Sequence, residues 1–444
     1  MSAEWPKVQL QDIAELKGGY AFKSEDYTDA GRFVLRTVNI DSSGRINREG
    51  TTFVSEETAK EYERFALQPW DTLFVMVGAT LGKTGIVKEC DLPALLNQNM
   101  WVVRAKDGRV NQRYLYYAFT FKSKDLLAWA SGAAREFVRR DDFRTMELAL
   151  PPREVQDQVA DYIGAIDDKI ELNRQINQTL EQIAQTIFKS WFVDFEPVKG
   201  KIEAKAAGRD PERAAICAIS GKSEVDQLST EQRQQLAATA ALFPGALVES
   251  ELGLIPEGWR VEALPDAIEV NPSRTLKRGV MAPYLDMANV PTNSARVCEV
   301  VQREFSSGSK FMNGDSLLAR ITPCLENGKT AYVDFLTEQQ VGWGSTEFIV
   351  LRPRAPLPQA FGYLLCRHPE FRAFAIANMS GTSGRQRVPN DCFVNYQIAV
   401  PGHDVTASFG EIVGGIFSVI KARDEESRTL ATLRDTLLWR TFNC

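Results

Sequence analysis

Histidine is nearly absent: the 444 residues include only His368 and His403, in different local contexts. A histidine-based metal site or a catalytic triad has almost no material to be built from, and both side chains are expected on the surface or in loops. The seven cysteines, at 90, 217, 298, 324, 366, 392 and 444, are odd in number and never spaced C-x-x-C. That excludes a zinc ribbon and a disulfide framework, and it suits a reducing cytoplasm. Long apolar runs are missing too. The most apolar short run, Leu73 to Ala79, falls far below the roughly 18 residues that span a bilayer, so no membrane partner is expected. Met1 to Leu10 carries Glu4, Trp5 and Pro6 where a secretory signal needs a basic region and an apolar stretch. Nor is positive charge in excess, since 52 Lys and Arg stand against 58 Asp and Glu for a net charge of −6.

What remains is an ordinary globular composition, 44% hydrophobic and 25% charged, long enough for two to four domains of about 100–200 residues each. The chain repeats itself. Residues 141–187 align with 391–437 at a constant offset of 250 without a gap. Asp141 and Phe143 fall on Asp391 and Phe393, and Leu150-Pro151 on Val400-Pro401. Val155, Ile163, Ile166, Ile170, Leu180, Ile183 and Ile187 fall on Val405, Val413, Ile416, Ile420, Leu430, Leu433 and Leu437. Upstream, with small shifts, Trp5 matches Trp259, Asn39 matches Asn289, Asp71-Thr72-Leu73 matches Asp315-Ser316-Leu317, Gly82-Lys83-Thr84 matches Gly328-Lys329-Thr330, and Arg104 matches Arg352. Such register over a whole unit marks a duplication.

Each copy reads as mixed α/β sequence followed by a long helix. Short β-rich runs such as Leu73 to Val77, Trp101 to Val103 and Phe348 to Leu351 support the first part. The second part carries a heptad seam: Val159, Ile163, Ile166, Ile170, Asn173, Asn177, Leu180, Ala184 and Ile187 step by four and three. Its equivalents are Phe409, Val413, Ile416, Ile420, Arg423, Ser427, Leu430, Arg434 and Leu437, polar at the same two central places. Pairing the two helices antiparallel puts Asn173 near Ser427 and Asn177 near Arg423, with Ile166 opposite Arg434 as a blemish. The expected fold is α+β. Two α/β recognition domains, 1–151 and 256–401, are each followed by a helical spacer, 152–196 and 402–444, and the spacers form an antiparallel coiled coil. A packed connector, 197–255, contains a helix-prone stretch from Ser229 to Ala241.

Two equivalent domains on a helical spacer suit a ligand with two-fold character, and duplex DNA has it because its strands are antiparallel. The helices would act as a ruler between half-sites. Because the copies share framework residues and differ elsewhere, the target would be bipartite and asymmetric. At this point the chain resembles the specificity subunits of Type I restriction-modification enzymes. The likeness is carried by Trp70-Asp-Thr-Leu73, Gly314-Asp-Ser-Leu-Leu-Ala-Arg320, the two Gly-Lys-Thr triplets, Leu150-Pro-Pro152, residues 173–196 (NRQINQTLEQIAQTIFKSWFVDFE) and residues 250–259 (SELGLIPEGW). The resemblance implies a chain that catalyses nothing itself and holds no metal. It implies double-stranded DNA, two methyltransferase (modification) subunits and restriction subunits as partners. S-adenosylmethionine, ATP and Mg2+ would then belong to the partners, with this chain carrying no cofactor. Its acidic first spacer region, 151–200, with 5 basic and 9 acidic residues, would be a protein-docking surface, and the isolated chain would bind DNA weakly.

Candidate DNA contacts are polar loop residues able to reach base edges and cations able to hold phosphate. The sharpest cluster is Arg135, Arg139 and Arg140 after Ser131-Gly132, paralleled by Thr382, Ser383, Arg385 and Arg387 after Ser380-Gly381. The bland alternative is an ordinary solvated loop. Lys23-Ser24 and Lys277-Arg278 are weaker equivalents; Lys83 and Lys329 could hold phosphate or serve structural ion pairs; Asn97-Gln98-Asn99 could offer amides to adenine or serve their own turn. Trp5, Trp259, Trp191, Phe192 and Phe195 read as packing residues. A nucleotide-binding loop is excluded, because Gly78-Ala-Thr-Leu-Gly82-Lys83-Thr84 has three residues between its glycines where four are needed, and the second copy places Pro323 there. A methyltransferase acting alone would need an Asn-Pro-Pro-aromatic element, to which Asn271-Pro272-Ser273 is only superficially similar. A duplicated scaffold or RNA-binding protein stays open as the alternative.

Overall fold

The computed structural model describes residues 5–41, 43–48, 50–78, 80–132, 140–382 and 384–443. The chain forms two compact units, 1–171 with 427–444, and 172–426. Both long helices, Arg153–Phe192 and His403–Phe442, are therefore shared between units.

In the first unit a four-stranded antiparallel sheet runs in the order Ala14–Gly18, Met100–Ala105, Thr72–Val75, Thr84–Ile86. The second unit repeats it as Ile268–Val270, Phe348–Pro353, Ser316–Ala319, Thr330–Tyr332. The register is the same, with Thr72 opposite Val103 and Ser316 opposite Leu351. Each unit adds a second four-stranded sheet built around one parallel pair, Arg32–Leu35 with Ala94–Leu96 and Met281–Leu285 with Gly342–Gly344. Each also has a short antiparallel ladder that returns the chain beside its own start, Lys7–Gln9 with Glu147–Ala149 and Arg260–Ala263 with Gln397–Val400. The strands Thr72–Val75 and Ser316–Ala319 are buried throughout because both faces are covered, and all but their first residues, Thr72 and Ser316, are apolar.

The helices pack on these sheets through their seams. In the first unit Ile163 joins Tyr114, Phe119, Phe143 and Phe442 in one core. In the second, Phe188, Trp191 and Phe192 join Phe361, Phe409, Val413 and Phe417. Every seam position named above, from Val159 to Ile187 and from Val413 to Leu437, is buried or half-buried. Asn173 is fully buried, donating to the Glu426 carboxylate at 2.8 Å and accepting from Arg423 at 3.2 Å. Asn177 donates to the Ile420 carbonyl at 3.2 Å. The helices are antiparallel, but Arg423 meets Asn173, one turn from the Asn177 expected for it. The reason is chemical: the guanidinium donates to the amide oxygen while the amide nitrogen donates to Glu426, so both ends of the buried amide are satisfied. Arg434, the anticipated blemish, is half-buried and paired with Asp167 at 3.1 Å.

The amide of Asn177 is only half satisfied, since its Oδ1 is buried without a partner. Asn177→Leu should therefore stabilise the second unit by about 1 kcal/mol, read by chemical denaturation. A destabilised variant would mean that the bond to Ile420 outweighs the orphaned oxygen.

Three short helices, Glu196–Ala206, Pro211–Ser220 and Thr230–Ala241, form the connecting segment. They enclose a small core of Ala215, Ile216, Val225, Leu228 and Ala240. Ser229 caps the third helix by accepting from Gln232 N–H. The segment is held to the second unit by Trp191 edge-on to Phe243 at 4.9 Å.

One expectation needs correction. His368 is buried, lying between the helices Gln359–Arg367 and Pro369–Ala377 and beside the Phe188 ring. Its burial lowers its pKa below the ordinary value. His403 is exposed. The C-terminal helix also contains an 18-residue stretch of mean hydropathy 1.4, long and apolar enough by composition to cross a membrane, which a search for unbroken apolar runs passes over. Its apolar residues are interleaved with Gly and Ser at helical spacing, and Phe409, Val413, Phe417 and Ile420 are buried in the second unit.

Candidate nucleic-acid interface

The shared register lets corresponding places in the two β-rich parts be compared atom by atom. Just before the strands Met100–Ala105 and Phe348–Pro353, residues 97–99 and 345–347 form turns at equivalent places in the fold. Asn99 carbonyl accepts from Met76 N–H, and Glu347 carbonyl accepts from Arg320 N–H, each at 2.9 Å. Asn99 adopts a left-handed conformation with φ of 72°, which asparagine tolerates better than most residues. Its side chain and that of Gln98 are exposed, free to meet a base edge. Asn97 is buried and donates to the Tyr27 hydroxyl at 3.1 Å. In the second copy the turn reads Ser345-Thr346-Glu347, with Thr346 exposed. The same place in the fold therefore carries two exposed amides in one copy and a hydroxyl and a carboxylate in the other.

In the second unit a hairpin loop is brought to this turn. Ser380 and Arg387 exchange backbone bonds at 3.0 and 2.8 Å, and Gly381 and Gly384 take φ of 122° and 78°, which an L side chain adopts only under strain. Arg387 grips Glu347 with two nitrogens, at 2.7 and 2.9 Å, a pairing that raises its pKa above the ordinary value. Thr382 and Arg385 stand exposed on the loop. The corresponding cluster of the first unit is described only at Arg140, which is exposed at the start of the helix Arg140–Arg144. Arg135, Arg139 and Ser383 lie outside the described residues.

Lys23, Ser24, Lys277 and Arg278 are exposed. Lys23 has its ammonium 3.3 Å from Glu25. Lys83 and Lys329 are tied back to the protein: Lys83 donates to the Ile40 carbonyl, and Lys329 to the Met287 carbonyl at 2.6 Å. In both copies the lysine lies against the same short turn, Lys83 at the residue that follows Thr37–Asn39 and Lys329 at the first residue of Met287–Asn289. The partners are backbone carbonyls, where the sequence suggested phosphate or an ion pair.

Sequence reasoning missed the ion pairs that hold the frame. Asp71, almost fully buried, accepts from Arg104 at 2.5 Å, and the fully buried Asp315 accepts from Arg352 at 2.6 Å and Arg274 at 2.9 Å. The signal was present, since an acid and a base repeat together in both copies. Glu181, on the central helix, is likewise buried against Tyr363 and Arg367, and burial raises its pKa.

A family model described as the Type I restriction modification DNA specificity domain matches residues 2–182. The chain is 31% identical over 327 residues to the Type I restriction enzyme HindI specificity subunit of Haemophilus influenzae, covering 68% of this chain and 70% of that one. It is 29% identical to the MjaIX specificity subunit of Methanocaldococcus jannaschii, covering 98% of this chain and 92% of that one. The crystal structure of a Type I restriction-modification S subunit from M. genitalium shares the fold, with a TM-score of 0.52 at 14% identity over 99% of this chain and 96% of that one. With a relative of that identity and coverage beside the duplicated fold, the chain belongs to the specificity subunits of Type I restriction enzymes.

Proposed function

We propose that this protein is the DNA-reading subunit of a Type I restriction-modification assembly and is not itself an enzyme. Residues 1–151 read one half of a bipartite, asymmetric duplex target and residues 256–401 read the other. The observation that carries this is the pairing of one framework with two chemistries: the turn at 97–99 and its counterpart at 345–347 sit at the same place between equivalent strands, are anchored by one equivalent backbone bond, and differ in every side chain. Equal framework with unequal functional groups is what two different half-sites require. Gln98, Asn99, Lys23, Ser24 and Arg140 in the first part, and Lys277, Arg278, Thr382 and Arg385 in the second, are exposed, and these are the side chains that contact DNA in this reading.

The helical segments 152–196 and 402–444 dock two methyltransferase subunits, with restriction subunits joining the assembly in the cytoplasm. S-adenosylmethionine, ATP and Mg2+ reside on those partners, and this chain supplies the choice of sequence. Its overall negative charge leaves much of the phosphate contact to the assembled complex, so the isolated chain binds duplex DNA weakly.

The test is a genome-wide map of adenine methylation in the host, with and without this gene, and with residues 1–150 exchanged for those of another specificity subunit. One bipartite motif should vanish on deletion, and only one of its halves should change on exchange. An unaltered map in both experiments would favour the scaffold reading.

A further inference from the structure

Beside the turn at 345–347, the second unit opens a cleft of about 290 Å³ whose polar lining includes Ser273, Arg274, Ser309, Lys310, Arg320 and Thr346. Among the described residues its three cations share a single paired carboxylate. Arg274 shares its one carboxylate, Asp315, with Arg352. Lys310 donates to the Arg274 carbonyl at 3.0 Å and lies over the Phe305 ring, and Arg320 donates to the Val388 carbonyl at 2.5 Å. Among the described residues, Lys310 and Arg320 are thus held by neutral carbonyls and not by a paired carboxylate. The Nε atoms of Arg274 and Arg320 are buried without a protein partner. Three fixed cations with hydroxyls at the rim make a setting for a doubly coordinated anionic oxygen pair.

The first unit has no such setting at the corresponding place. By strand register Tyr20, Ala66 and Met76 stand where Arg274, Lys310 and Arg320 stand in the second. Tyr20 instead stacks on Tyr62 at 4.2 Å and packs against Phe22 and Phe65. A cleft is concave and receives what protrudes, which on duplex DNA is the phosphodiester backbone; reading a base edge in a groove needs a side chain that reaches outward. We propose that this cleft seats a backbone phosphate of the half-site bound by residues 256–401, held by Arg274, Lys310 and Arg320. The inference rests on the reading that these residues bind DNA, and it makes the two halves of the protein unequal in how they grip the backbone.

The test uses the assembled methyltransferase complex and a duplex carrying its motif, comparing wild type with Lys310→Gln and Arg320→Gln. Each variant should lower the slope of log affinity against log salt by about one unit while leaving the methylated motif unchanged. Independently of any variant, replacing phosphates one at a time by neutral methylphosphonate should expose one sensitive position in that half-site for wild type, and that sensitivity should shrink in Lys310→Gln. An unchanged salt slope, a wild-type scan without a sensitive position, or a changed half-motif in either variant would overturn the phosphate seat. The underlying reading fails differently, through a methylation map indifferent to exchange of the recognition segments.

Discussion

Asp315→Ala should cost the second unit about 3–5 kcal/mol, because it leaves charges buried without a counterion. Asp315 is fully buried and accepts from Arg274, from Arg352 and from the Met312 N–H at 2.7 Å. Removing it leaves two guanidinium groups beside each other in the sheet interior. Asp71→Ala in the first unit should destabilise in the same direction by less, since Asp71 pairs with Arg104 alone among these repeated positions. Hydrogen exchange would locate the two effects: Asp315→Ala should expose the amides of Ser316–Ala319 and Phe348–Pro353, and Asp71→Ala those of Thr72–Val75 and Met100–Ala105. If Asp315→Ala stayed within about 1 kcal/mol of wild type, the pair would be a surface decoration and not part of the frame.

The same residues show why some of the structure could be read from sequence and some could not. The long helices were legible because a seam of period 3.5 is a local pattern, repeated over about eight turns and again at an offset of 250. The strands were legible as short apolar runs, but their partners were not, since pairing Ala14–Gly18 with Met100–Ala105 joins segments far apart in sequence. Asp315 and Arg352 were each recognised as repeated framework, yet nothing local says that they touch. The functional surface follows the same rule. Contiguous signals such as Lys277-Arg278 and Asn97-Gln98-Asn99 could be singled out, whereas the cleft gathers Arg274, Lys310 and Arg320 from a sheet end, an edge strand and a turn. Asn97 shows the cost of reading composition without geometry: of three adjacent amides, it alone is turned inward. His368 is the converse, a polar side chain placed inside because two helices meet at it.

Glu181 gives the strongest test of how the central helix is fixed to the second unit. Its carboxylate accepts from the Tyr363 hydroxyl, from the Ala295 N–H at 2.8 Å and from Gln185 at 3.3 Å, with Arg367 at 3.7 Å. Glu181→Ala would orphan all of these at once, including the buried Arg367 charge, and should cost about 3–5 kcal/mol by chemical denaturation. Glu181→Gln separates charge from shape. Burial is the largest influence on Glu181 and raises its pKa above the ordinary 4.5, so the unfolded chain gives up this proton at lower pH than the folded one. The stabilisation tied to the protonated form is full below the ordinary value and is lost as the pH climbs through the raised one. The glutamine variant has no proton to lose. Relative to Glu181→Gln, wild type should therefore lose stability as the pH is raised from about 4 towards neutrality. A difference that runs the other way would mean that Arg367 outweighs burial and holds the carboxylate ionised in the folded protein.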